Sequence, residues 1–218
     1  MHVLTGTLAA ATMLLYGAVA LADNPSPSML DEEARAAVVA AMPDDLRETF
    51  KLHDEPRPFR GKMFLDPKGK DIDLSEFKGS LTVLNFWAIW CPPCRKELPY
   101  FDEIRAELGG DGVQVVTISL DKGGLAKAGP YLEREELNLD PYTDPKANLA
   151  KEMGVLSLPV TAILGPDARE IGRLTGEAQW NSPEAKAWLR QIAALTGADP
   201  VEGEDKKGLF RRLISRFW

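Results

Sequence analysis

Seven residues of strand character, Leu81-Thr82-Val83-Leu84-Asn85-Phe86-Trp87, stand just ahead of Cys91-Pro92-Pro93-Cys94, and an amphipathic helix follows directly. A run of β-branched and aromatic residues with little alternation predicts a strand covered on both faces. In the segment after the cysteines, Leu98, Phe101, Ile104 and Leu108 recur at helical spacing, which predicts a helix with one buried face. A covered strand feeding a packed helix requires a sheet with helices laid against it, so the chain is constrained to an α/β architecture.

The remaining segments fit that frame. Lys62 to Leu65 and Ile72 to Phe77 predict short elements around the turn at Pro67-Lys68-Gly69-Lys70. Val113 to Leu120 is strand-like and Leu125 to Leu137 helical, with Pro130 as a break or a true start. Lys146 to Met153 predicts a short helix ended by Gly154, and Val160 to Leu164 and Glu170 to Leu174 predict strands joined at Gly165-Pro166-Asp167. Ser182 is suited to cap a helix with Pro183 at its first position, burying Trp188, Leu189, Ile192 and Leu195. Strand, helix, strand, helix, two neighbouring strands and a last helix imply a mixed central sheet flanked by helices.

Three outer segments are set apart from residues 58–195. Residues 1–22 contain no Lys, Arg, Asp or Glu and end in Ala20-Leu21-Ala22, a small-x-small pattern that fits an export signal. Its threonines and alanines make a weak membrane span, which favours cleavage over retention as an anchor. Residues 23–57 read as a lead-in: a Pro/Ser patch from Asn24 to Ser28, a helix from Asp31 to Met42 closed by Pro43, and a polar connector from Asp44 to Pro58. Residues 196–218 read as a linker, Thr196 to Asp205, and a basic amphipathic tail. In that tail Leu209, Phe210, Leu213, Ile214, Phe217 and Trp218 lie opposite Lys206, Lys207, Arg211, Arg212 and Arg216. Such a helix suits an anionic membrane surface or a partner, and it equally suits packing on its own domain.

The cysteine pair is where chemistry enters. A helix N-terminus offers unpaired amides and the positive end of the dipole, both of which favour a thiolate. Cys91 is therefore expected as the exposed nucleophile and Cys94, one turn further in, as the buried resolving thiol. A structural zinc site needs four ligands, and once His2 leaves with the export segment only His53 remains beside the two cysteines, so zinc is not supported. A structural disulfide across so short a loop would constrain little chain entropy. Two thiolates can hold Cu(I), so a copper carrier stands as the alternative to disulfide exchange. The net charge of −7 argues against nucleic acid as a partner, and 44% hydrophobic with 27% charged residues is ordinary for a folded domain.

Asn85 to Pro99, with Trp90-Cys91-Pro92-Pro93-Cys94 at its centre, resembles the active-site stretch of the thioredoxin-fold, TlpA-like exported thiol–disulfide oxidoreductases. Gly154 to Thr161 is similar to that family's cis-proline loop, and Gly176 to Ala185 to the C-terminal part of its members. The resemblance implies a thioredoxin-like fold over residues 58–195 and no bound cofactor. It implies that Pro159 is a cis-proline facing the cysteines in a loop that pairs with an extended substrate strand. It implies a carboxylate near the cysteines at Glu97, which lies one turn beyond Cys94, where it would oppose Cys94 ionisation and relay protons. Pro99 matches a helix kink usual in the fold, Trp87 reads as core and Trp90 as rim.

Thioredoxin itself has a buried aspartate where this chain has Asn85, which leaves Glu97 as the candidate for proton handling. Pro92 and Pro93 lack N–H groups, so two donors to a Cys91 thiolate are missing. Arg95, Lys96 and the helix dipole act in the opposite sense. The balance points to a reductase. The resemblance further implies that the substrates are a disulfide-containing apocytochrome c or a copper-site assembly protein, and that the electron donor is a membrane thiol shuttle. The expected setting is the periplasm, free or tethered to the inner membrane, with the chain a monomer.

Overall fold

The structure, a computed structural model, describes residues 30–201. The export segment, the Pro/Ser patch and the basic tail lie outside the described residues. Asp31 caps helix α1 (Glu32–Ala40) by accepting from the Ala34 amide at 2.7 Å, with Glu32 and Glu33 in the first turn beside the positive dipole end. A short helix α2 (Asp44–Arg47) follows Pro43.

The expected connector after Asp44 is not a connector. Phe50–Arg57 forms strand β1, which pairs antiparallel with β8 (Glu170–Thr175). Phe50 faces inward, where its ring meets Trp188 edge-on at 5.0 Å, and His53 Nε2 meets the buried Glu170 carboxylate at 2.6 Å. Lys51, Asp54 and Glu55 are exposed, as expected of a strand at a sheet margin, and they gave this segment its polar, loop-like composition.

Strands β2 (Phe64–Leu65) and β3 (Asp71–Ile72) form a small hairpin, followed by a 3₁₀ turn over Leu74–Phe77. Strand β4 (Leu81–Trp87) is buried at every position and runs parallel to β5 (Val113–Ser119) and antiparallel to β7 (Val160–Leu164). Helix α3 (Pro92–Leu108) contains Pro99, and α4 (Leu125–Arg134) runs through Pro130 without starting there. Strand β6 (Tyr142–Thr143), not foreseen from the sequence, joins β5 in parallel; α5 (Asn148–Glu152) and α6 (Pro183–Leu195) complete the set. The eight-stranded sheet has the order β1-β8-β7-β4-β5-β6-β2-β3.

Alternation along β4 divides the core. Leu81, Val83 and Trp87 face a cluster built with Leu98, Phe101, Ile104, Trp188 and Leu189 from α3 and α6. Leu84 and Phe86 face the opposite cluster with Phe64, Phe77, Leu149 and Met153. The two helices of the first layer are clamped by Lys186, whose ammonium pairs with Glu107 at 2.9 Å and with Glu103.

Two details of the C-terminal part differ from expectation. Leu195 is 40% exposed, because the inward row of α6 continues from Ile192 to Thr196, whose hydroxyl donates to the Ile192 carbonyl at 2.8 Å. The first residues of the expected linker are docked on the domain. Asp199 N–H donates to Gly79 at 2.8 Å, Ser80 Oγ to Asp199 at 3.1 Å, and Val201 N–H to Gly109 at 3.0 Å.

Candidate active site

The C-terminal end of β4 delivers a turn in which the Cys91 amide donates to the Ala88 carbonyl at 3.1 Å. The Ile89 amide, inside that turn, donates to Asp121 Oδ2 at 2.9 Å, and Ser119 Oγ donates to the same oxygen at 2.9 Å. Leu120 N–H closes the arrangement on the Trp87 carbonyl at 2.9 Å. The loop bearing the first cysteine is thus fixed to the end of the neighbouring parallel strand. Asp121 and Ser119 were not singled out in the sequence, although an acid just past a strand end beside β4 was the available signal.

Cys91 caps α3, and Cys91 and Cys94 are joined as a disulfide. Pro92 and Pro93 occupy the first turn and offer no N–H, but one donor remains: the Cys94 amide points at Cys91 Sγ, 3.3 Å away. Contrary to the expectation of an exposed nucleophile, Cys91 is buried. Only 4% of it is accessible, because its sulfur turns into the first helical turn and packs with Trp87, Ala88 and Leu98. Cys94 is fully buried, as expected, and Trp90 takes the outer position at 69% exposure.

Glu97 is 1% exposed, which rules out a solvated first-turn acid. Its Oε1 accepts from the Ala178 amide at 2.9 Å, across from the loop between β8 and α6. Burial pushes its carboxyl up to about 8; the Ala178 amide and the Trp180 indole pull the other way without reversing the shift. Glu97 Oε2 has no completed hydrogen bond.

The Leu158–Pro159 peptide bond is cis. Pro159 immediately precedes β7, and its carbonyl accepts from Gly176 N–H at 2.9 Å. Since Val160 is in register with Phe86, the Pro159 loop and the Cys91 turn emerge at the same end of the sheet. Trp90 and Leu156, the latter 97% exposed, are the most exposed large apolar side chains among the described residues, and each sits in one of these two loops. No group of three or more His, Cys, Asp or Glu placed to hold a metal ion occurs among the described residues.

A thioredoxin-like sheet carrying a dithiol–disulfide pair at a helix start, above a buried carboxyl, defines a thiol–disulfide oxidoreductase. The chain belongs to the AhpC/TSA family, whose model matches residues 40–169. It is 32% identical over 127 residues to the thiol-disulfide oxidoreductase ResA of Bacillus thuringiensis subsp. konkukian, covering 58% of this chain and 72% of that one. It is 31% identical over 130 residues to the sporulation thiol-disulfide oxidoreductase A of Bacillus subtilis, covering 57% and 74%. Among solved structures, one assigned as a thiol:disulfide interchange protein DsbE, from Chlorobium tepidum, superposes with a TM-score of 0.55 at 27% identity, over 66% of this chain and 99% of its own.

Proposed function

We propose that this oxidoreductase works as a reductase of disulfides in partner proteins. The observation that carries the reading is the stacking of three groups along one helix: Cys91 capped by a single amide, Cys94 buried, and a buried Glu97 one turn further on. With one N–H in place of the several a helix start can offer, the Cys91 thiolate is modestly stabilised, which favours giving electrons up.

In the reduced protein the Cys91 thiolate attacks one sulfur of a substrate disulfide. An Sγ–S bond forms, the substrate S–S bond breaks, and the departing substrate sulfur takes a proton. Glu97 in its carboxylate form then accepts the Cys94 proton. The Cys94 thiolate attacks Cys91 Sγ, closing the Cys91–Cys94 disulfide and releasing the second substrate sulfur, which is protonated in turn. Two electrons pass to the substrate, whose two sulfurs take up the Cys94 proton by way of Glu97 and one proton from solvent, and the protein is left with the Cys91–Cys94 disulfide closed. The loop at Pro159 supplies main-chain partners for an extended substrate strand, with Trp90 and Leu156 as its apolar margin.

The substrate class is an apocytochrome c or a copper-site assembly protein, and a membrane thiol shuttle restores the dithiol. The uncharged residues 1–22 support export to the periplasm, and the basic tail supports a membrane-surface contact there. Among the described residues no helix is long and apolar enough to cross a membrane.

Cys94→Ser tests the reading. It should halt exchange at the mixed disulfide, so that a substrate protein accumulates covalently on Cys91 and is identified by mass spectrometry. A protein that accumulates no such adduct, leaves model disulfides unreduced and takes up one Cu(I) tightly would be a copper carrier instead.

A further inference from the structure

The loop between β8 and α6 supplies more than a cover for Glu97. Gly176, with φ of +111°, ends β8 and turns the chain over α3. From there the loop is pinned at several points: Ala178 N–H to Glu97 Oε1 at 2.9 Å, Asn181 Nδ2 to Glu103 Oε2 at 2.9 Å, and Ser182 N–H to Gln179 at 3.1 Å, just before Ser182 caps α6. Trp180 lies between these pins, fully buried, with its ring against Phe101 at 6.1 Å.

Trp180 Nε1 is a buried donor without a completed hydrogen bond, and Glu97 Oε2 is a buried acceptor in the same condition. The indole acts on this carboxylate in the sense of a donor, favouring its charged form. A buried N–H without a partner costs about 1–3 kcal/mol, a cost that an apolar ring packed against Phe101 would not carry. We propose that Trp180 is a positioning residue for Glu97: its indole N–H donates to Oε2 when the carboxylate is charged, while the Ala178 amide donates to Oε1. The loop thereby governs how readily Glu97 is available to take the Cys94 proton, an inference that rests on the proton-transfer role given to Glu97 above.

The charged groups acting on Glu97 do not supply that control. Glu177, on the same loop, and Lys96, on α3, act on it in opposite senses and pair with each other at 3.3 Å on the surface. The indole N–H is thus the loop's remaining lever on the carboxylate beyond the Ala178 amide, and an uncharged one that salt does not screen.

The test uses the full chain with Trp180→Phe, and with benzothienylalanine at 180, which keeps the fused ring and removes only the N–H. Infrared titration of the Glu97 carboxyl, assigned by difference from Glu97→Gln, is read beside the pH profile of mixed-disulfide resolution. Both replacements should move the titration midpoint of Glu97 up by about one pH unit and slow resolution up to about tenfold below that midpoint. In a Glu97→Gln background they should change the profile by less than twofold. An unshifted midpoint in the benzothienylalanine protein, with its near-ultraviolet dichroism intact, overturns the proposal, as does an equal rate effect in the Glu97→Gln background. Should Glu97→Gln itself resolve mixed disulfides with the wild-type profile, the proton-transfer role fails, and the infrared midpoint still decides the place of Trp180.

Discussion

Ile89 N–H donates to Asp121 Oδ2 at 2.9 Å, so the turn that presents Cys91 is anchored on a side chain just beyond the end of β5. Asp121→Ala strips that amide of its acceptor and frees Ser119 Oγ as well. We expect a loss of about 1–3 kcal/mol in urea unfolding and slower attack of the reduced protein on a model disulfide. Asp121→Asn keeps an acceptor and should recover most of both. Equal behaviour of the two variants would show that the anchor is immaterial.

Stability should depend on pH through Glu97. Its carboxyl holds its proton more tightly folded, at about 8, than at the ordinary 4.5 of an unfolded chain. The folded state therefore binds more protons across that window, and its stability is greatest below it and declines as pH rises toward 8, by at most about 1.4 kcal/mol per pH unit. Glu97→Gln removes the titration, and its urea midpoint should stay flat from pH 5 to 8 while that of the wild type falls. Parallel curves would refute the assignment.

Gly172 of β8 faces β1 so closely that a Cβ there would lie 2.5 Å from the Phe50 ring and 2.9 Å from the Lys51 carbonyl. Gly172→Ala should cost about 1–3 kcal/mol by displacing that ring from Trp188. A chain beginning at Pro58 should likewise unfold at lower urea, since it lacks β1 altogether. Unchanged melting of both proteins would mean that β1 adds nothing to the domain.

Lys186 bridges two carboxylates of α3, so Lys186→Met leaves Glu103 and Glu107 facing each other without their shared cation. A stability loss of about 2 kcal/mol is expected. The redox potential of the cysteine pair should not move. Calorimetry and a glutathione titration check the two halves separately.

The central part of the fold was legible because its signals are local. The β4 run, the Cys91 helix start and the Ser182-Pro183 cap each declare themselves within a few residues. What escaped is non-local. Strand β1 is polar outward and owes its place to Leu174 and Gly172, far along the chain, and the two residues of β6 are too few to show a period. At the site, Cys91, Cys94, Glu97 and Pro159 were all named from the sequence, and the structure brings the Cys91 turn and the Pro159 loop to one end of the sheet. Asp121 and Ala178 act through an oxygen and an amide whose partners lie 32 and 81 residues away, and no spacing rule announces such contacts. The depth of Cys91 is not legible for a related reason: a helix cap does not reveal which way its sulfur turns.

The margins of the sheet carry a further meaning. One is a two-residue strand, β3, and the other is β1, studded with Lys51, Asp54, Glu55, Pro56 and Arg57. Neither offers the long, flat, apolar border along which a foreign strand could zip and nucleate aggregation. A thiol–disulfide oxidoreductase built this way is kept from recruiting other chains into its own sheet.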